Sequence, residues 1–170
     1  MRCTLRTAIT TSKKSSDETD LIIELKTVSG EYTLLSEIVF DKKGYLYFSI
    51  GDRGAQDQAQ DPTRPNGKIH RIYPDGSVPE DNPYAKEGLP TLYTLGNRNP
   101  QGISVHPVTD EIWASEHGPL GGDELNLIRA GVNYGWPVIS YGINYNGDII
   151  TEYMVKIFFN RSWQAGKLIF

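Results

Sequence analysis

Arg98 and Asn99 stand just ahead of a short apolar run, and His117, Gly118 and Pro119 stand just behind the next one. Asp123, Glu124 and Asn126 follow, and the stretch closes on Asn133-Tyr134-Gly135-Trp136. Charged and amide side chains set this densely among Gly and Pro suit loops that hold a ligand above a β scaffold. The same residue types also serve as ordinary turn formers, so it is their density that singles out the stretch. Each group suggests a chemistry. Arg98 offers a planar donor fork suited to a carboxylate or quinone oxygen. Asp52, in an earlier Gly- and Gln-rich loop, can orient a histidine or accept a proton. Asp123, Glu124 and exposed Gly or Pro carbonyls are hard oxygen donors, which suit Ca²⁺ better than a transition metal.

The elements that must carry these loops read as strands. Leu21–Leu25 is one candidate; Ile38–Phe40 and Tyr45–Ile50 form a hairpin across Asp41-Lys42-Lys43-Gly44. Lys68–Tyr73, Leu92–Leu95, Gly102–Val105 and Glu111–Ser115 follow as further strands, each bounded by turn residues. Residues 1–20 read as a loop or frayed entry strand; no convincing amphipathic helix is found, and a short helix near Glu124–Arg129 is the alternative to a strand there. The chain also repeats itself: Val39–Ser49 aligns with Val105–Ser115 at an offset of about 66 residues. Each copy is a hairpin ending in a polar, Gly-containing loop and followed by another strand, GKIHRIYPDGS in the first and ELNLIRAGVNYGW in the second. Four antiparallel strands per unit, with loops gathered on one face, describe a propeller blade. The fold class expected is therefore all-β, a partial β-propeller of about two and a half blades. An open arc leaves strand edges that invite self-association.

Composition narrows the function. The 170 residues carry a formal charge of −4 with no Lys/Arg cluster, so nothing points to nucleic acid. No apolar run reaches the roughly 18 residues of a membrane span, and the basic N-terminus lacks the apolar core of a signal peptide. Cys3, the single cysteine, excludes an internal disulfide or a Cys-based metal site.

Five motifs in order, GYLYFSIGDRG, GKIHRIYPDGSVPEDNP, LGNRNPQG, SEHGPLGGDELNLI and GVNYGWPVISYG, closely resemble the pyrroloquinoline-quinone (PQQ)-dependent glucose/sorbosone dehydrogenases. SEHGP and GGDE look most like the aldose sugar dehydrogenase branch. The resemblance covers residues 38–148; residues 1–30 and 151–170 diverge within what reads as one partial propeller domain. It implies a six-bladed ring holding PQQ and Ca²⁺ on its axis. The reaction implied is oxidation of the anomeric carbon of an aldose to a lactone, with the electrons passed to an acceptor. By position, Arg98 and Asn99 would contact the quinone, and the carbonyls of Gly118 and Pro119 would bind the Ca²⁺ that polarises it. Glu124 and the Tyr134 carbonyl resemble an additional calcium site, and Asp52 matches the acid that orients the base. A glutamine from the following loop, Gln56, Gln58 or Gln60, would approach the cofactor, with Gln60 carried as the choice.

One departure stands out. The family's His-x-Gly-Gly-Arg histidine, its general base, is replaced here by Thr33, and threonine cannot accept a proton near neutral pH. His70 and His106 read as strand or turn residues. The implied enzyme is therefore an impaired one. The alternatives are a non-catalytic calcium- or sugar-binding fragment and a calcium-dependent lactonase or hydrolase. The family is typically periplasmic or secreted.

Overall fold

The computed structural model describes residues 7–13, 19–25, 38–151 and 167–169; Thr33 lies outside them. The described residues form three antiparallel sheets. β1 (Thr7–Lys13) and β2 (Thr19–Leu25) form a hairpin. β3 (Val39–Phe40), β4 (Leu46–Ile50) and β5 (Lys68–Ile72) form the second sheet. β6 (Pro100–Val105), β7 (Ile112–Glu116), β8 (Glu124–Ile128) and β9 (Lys167–Ile169) form the third, in that order. Among the described residues the one helical element is a 3₁₀ turn at Gln56–Gln60. The chain is thus an all-β partial propeller, and the second and third sheets are its repeated units.

The internal repeat is visible in the pairing. Phe40 pairs with Leu46 across the first hairpin, and Val105 pairs with Ile112 across the second. The two hairpin tips also meet. Asp110, held at a left-handed φ of 63°, accepts the Lys42 N–H at 3.0 Å, and the Lys42 ammonium donates to the Val108 carbonyl. The sheets pack face to face through Tyr47 and Ile69 on one side and Ile103, Ile112, Ala114 and Ile128 on the other. β4 and β5 are buried along their whole length, so both of their faces must be apolar or satisfied. On the face turned from the third sheet His70 stacks on Phe48 at 4.9 Å, and the Lys68 ammonium donates to the carbonyls of Gln58, Ala59 and Asn66. These contacts fasten the long loop after β4 to the sheet.

One expectation is corrected and two open readings are decided. Within residues 1–20 the entry-strand reading holds for 7–13, because β2 gives them a hydrogen-bonding partner. Leu92–Leu95 makes only isolated bridges, to His70 and Asn133. Glu124–Ile128 takes the strand reading over the short helix: β7 offers a full ladder on one side, and that outweighs a short run of helix-compatible residues.

Candidate functional site

Three loops meet beyond the ends of β4 and β7. The Asp52 N–H donates to the Arg98 carbonyl at 2.6 Å, joining the loop after β4 to the loop before β6. The His117 N–H donates to the Asn99 carbonyl at 3.1 Å, joining that loop to the one after β7. Close approach of backbones demands glycine here. A Cβ on Gly51 would lie 2.8 Å from Asn99 Oδ1, and one on Gly118 would lie 2.2 Å from the Gly121 carbonyl. A register shift between Pro100 and Gly102 bulges β6 at its first turn, beside Arg98 and Asn99. Bulges of this kind re-aim the side chains next to them.

Arg98 sits at the centre of the junction. Its Nη1 donates to the carbonyls of His117 at 2.9 Å and Gly118 at 2.8 Å. Its guanidinium carbon lies 5.3 Å from the Trp136 ring centroid and 5.9 Å from that of Tyr145. Its Nε is buried with no hydrogen-bond partner, so this donor of the fork remains for a ligand. Asp52 is buried beside it, with Oδ2 accepting the Trp136 indole N–H at 2.8 Å and Oδ1 accepting the Gly54 N–H at 3.1 Å. Gly118 is fixed in turn by Asp123, whose Oδ1 accepts its N–H at 2.8 Å.

Below Arg98 the crevice turns acidic. Its walls include the Gly118–Pro119 loop, Glu116, Glu124 and Tyr134. Glu116 and Glu124 are direct cross-strand partners on β7 and β8, and like charges in that relation repel unless a cation or donors compensate. Asn126 donates its amide to Glu124 at 3.1 Å, while its own Oδ1 is buried with no hydrogen-bond partner. Two carboxylates, an unpartnered amide oxygen and nearby backbone carbonyls make an all-oxygen donor set that fits a hard cation such as Ca²⁺. The Arg98 Nε and the guanidinium charge fit an anionic, oxygen-rich partner on the other side.

The remaining expected residues fall around this crevice in different ways. Pro119 is buried in its wall. The Tyr134 hydroxyl donates to the Leu127 carbonyl and accepts the Arg129 N–H, and burial pushes it up to about 12. Gln60 is committed to the scaffold: its amide donates to the Trp136 carbonyl and to Asn133, and Asn133 donates back at 2.6 Å. Gln58 accepts from Asn66, and Gln56 reaches Asn144 at 3.4 Å.

The histidines sort as their neighbours suggest. His70 is fully buried, and desolvation pulls it down to about 4. His106 caps its own turn, accepting the N–H groups of Val108 and Thr109. His117 is exposed and contributes backbone to the site.

Two residues of the site were not singled out from sequence. Glu116 continues the inward alternation of Ile112 and Ala114 on β7, a period of two that would have flagged a buried carboxylate. Trp136 was read only as the end of the Asn133–Trp136 stretch, with no local sign of its bond to Asp52, which is distant in the chain.

Against known proteins, a family model described as glucose/sorbosone dehydrogenase matches residues 1–162. The aldose sugar dehydrogenase YliI of Escherichia coli K12 is 39% identical over 146 residues, which is 81% of this chain and 39% of that protein. Quinoprotein glucose dehydrogenase B of Acinetobacter calcoaceticus is 40% identical over 114 residues, 56% of this chain and 24% of its own length. Among solved structures, the PQQ-bound aldose sugar dehydrogenase of Streptomyces coelicolor superposes with a TM-score of 0.62 at 31% identity. That match covers 77% of this chain and 38% of that one. The chain therefore spans about two fifths or less of these relatives.

Proposed function

The chain belongs to the glucose/sorbosone dehydrogenase family, and from that premise we propose that the junction of its three loops is the cofactor-binding part of a PQQ-dependent aldose dehydrogenase. The observation that carries this reading is Arg98, a cation with an unpartnered buried Nε, set above a cross-strand pair of glutamates. Such a site suits an anionic ligand that carries its own cation. Arg98 and Asn99 would hold the quinone. The Pro119 carbonyl, and the Gly118 carbonyl through its second lone pair beside the bond from Arg98, would face its Ca²⁺, and Glu124 with the Tyr134 carbonyl would take a further Ca²⁺.

When bound, the quinone supplies a two-electron acceptor for the anomeric hydrogen, and Ca²⁺ supplies Lewis acidity. The chain's own residues bind and orient. Arg98 positions the ligand by charge and by a directional N–H, and the buried Gly118–Pro119 turn keeps water from one side. Asp52 is held by two donors and cannot swing away. Oxidation of the sugar to the lactone also releases the hydroxyl proton, and the family's acceptor for it is replaced by Thr33. Cofactor binding is therefore the function this chain supports best, with turnover impaired.

Equilibrium dialysis against PQQ with millimolar Ca²⁺ tests the reading. Removing a charge-assisted contact costs about 1.5–3 kcal/mol, so Arg98→Ala is expected to weaken binding by roughly 10- to 100-fold. Equal affinity of the variant and the parent chain would place the quinone elsewhere.

A further inference from the structure

Trp136 is engaged on every side that can interact. Its backbone N–H donates to the Gly96 carbonyl at 2.9 Å, and its carbonyl accepts from Gln60 at 2.5 Å. Its indole N–H donates to Asp52, and the face of its ring carries the Arg98 guanidinium. The chemistry matches the geometry: the positive edge of the indole meets a carboxylate and the negative face meets a cation. The backbones of Asp52 and Arg98 are themselves hydrogen-bonded at 2.6 Å, close enough for the side chains of an acid and a base to find each other. Yet among the described residues the ion pairs are Arg64–Asp61 and Arg71–Asp81, not Asp52–Arg98.

We propose that Trp136 is a positioning residue that keeps Asp52 and Arg98 from neutralising each other, so that the guanidinium charge stays available to an anionic ligand. Each charged group is held by a different part of one rigid ring. Without the ring, the adjacent backbones would let the carboxylate fold onto the guanidinium and use up the fork. The inference rests on the reading of Arg98 as a quinone contact.

Two measurements on the full chain test it and separate it from that reading. In equilibrium dialysis with PQQ and Ca²⁺, Trp136→Leu is expected to weaken binding by about tenfold, the scale of neutralising the guanidinium when the freed carboxylate folds onto it. Adding Asp52→Asn to that variant should recover most of the loss, because the competing carboxylate is gone. A loss that Asp52→Asn does not recover would mark Trp136 as mere scaffold and overturn the inference. Trp136→Phe keeps a ring and drops the indole donor. If the leucine variant fails to fold, the same comparison is made in the phenylalanine background, with a smaller loss and the same recovery expected.

The second measurement is nitrogen-15 NMR of the Arg98 side chain without any ligand. The parent chain should show an Nε–H resonance shifted by the ring and slow to exchange. Trp136→Leu should abolish that shift, and Asp52→Asn should then alter the Arg98 signal further. An Arg98 resonance indifferent to Trp136→Leu overturns the inference. Arg98→Ala with unchanged PQQ affinity overturns the quinone reading alone, and the ligand-free spectra still decide the role of Trp136.

Discussion

His70 gives the most direct test of how the site loop is fastened. It lies on β5 with no exposed surface, stacked on Phe48, and both ring nitrogens are engaged. Nε2 faces the Pro65 carbonyl at 3.0 Å, and Nδ1 faces the Thr91 hydroxyl at 2.9 Å. A carbonyl can only accept, so Nε2 carries the proton and Nδ1 accepts from Thr91, an arrangement that fully satisfies the neutral ring. Burial is the largest influence on this histidine and pulls it down to about 4, with Lys68 adding to the effect and the Pro65 carbonyl opposing it. The sign follows from linkage. Between about pH 4 and 6.5 the unfolded chain binds a proton that the folded chain refuses, so stability rises with pH across that window. The contribution is complete above 6.5 and is lost as pH falls toward 4. Integrated down to pH 4.5, it comes to about 2.5 kcal/mol. Urea unfolding at pH 7.5 and 4.5 on the parent chain and on His70→Asn isolates it from the carboxylates common to both. The parent should lose about 2.5 kcal/mol more than the variant on acidification. Parallel profiles would show that the ring is not held neutral, and that the Pro65 end of the loop is secured by something else.

Calcium and turnover give two further tests. If Glu124 ligates Ca²⁺, millimolar Ca²⁺ should raise the melting temperature by mass action, and Glu124→Gln should remove most of the rise; an unchanged rise would move the metal elsewhere. With PQQ and Ca²⁺ supplied, the chain is expected to show no measurable aldose-dependent dye reduction, since a general base typically contributes about 10²–10⁴-fold; robust glucose oxidation would refute the alignment that puts Thr33 in the base's place.

What was legible in the sequence was mostly local. The Asp41–Gly44 hairpin could be read because its turn chemistry sits in four consecutive residues, and Asp41 indeed accepts the N–H groups of Lys43 and Tyr45. The two blade-like copies could be read because alternation and turn residues recur together. Arg98, Asn99 and the His117–Pro119 loop were found as motifs, and the structure brings them to one junction with Asp52. The illegible parts were long-range. Nothing near Trp136 announces a bond to Asp52, and nothing in the Gln-rich loop tells Gln60 from Gln56 or Gln58. Gln60 is the one whose amide pairs with Asn133, a partner fixed only when Gly96 lets the two loops touch; a Cβ there would lie 2.1 Å from Asn133 Oδ1. Glu124 could be read as strand or short helix from its own neighbours, because the β7 ladder that decides it lies elsewhere in the chain.

The division of charge within the crevice carries one more consequence. Arg98 forms its cationic side, while Glu116 and Glu124, paired across β7 and β8, form its acidic side. An anion entering alone is attracted by the first and repelled by the second; a divalent cation alone meets the reverse. A ligand and a cation bound together satisfy both, because each screens the other from the group that opposes it. In a partly desolvated crevice these terms are larger than in water, and a coupling of about 1–3 kcal/mol is the usual scale for linked sites. PQQ is therefore expected to bind roughly 5- to 100-fold more weakly in chelator than in millimolar Ca²⁺, and Ca²⁺ should tighten by the same factor when PQQ is saturating. Glu124→Gln relieves the repulsion and should narrow the gap from the chelator side. Independent binding of the two, measured by dialysis of each at fixed concentrations of the other, would mean that the carboxylates and the guanidinium serve separate sites, and that the crevice is not a single one.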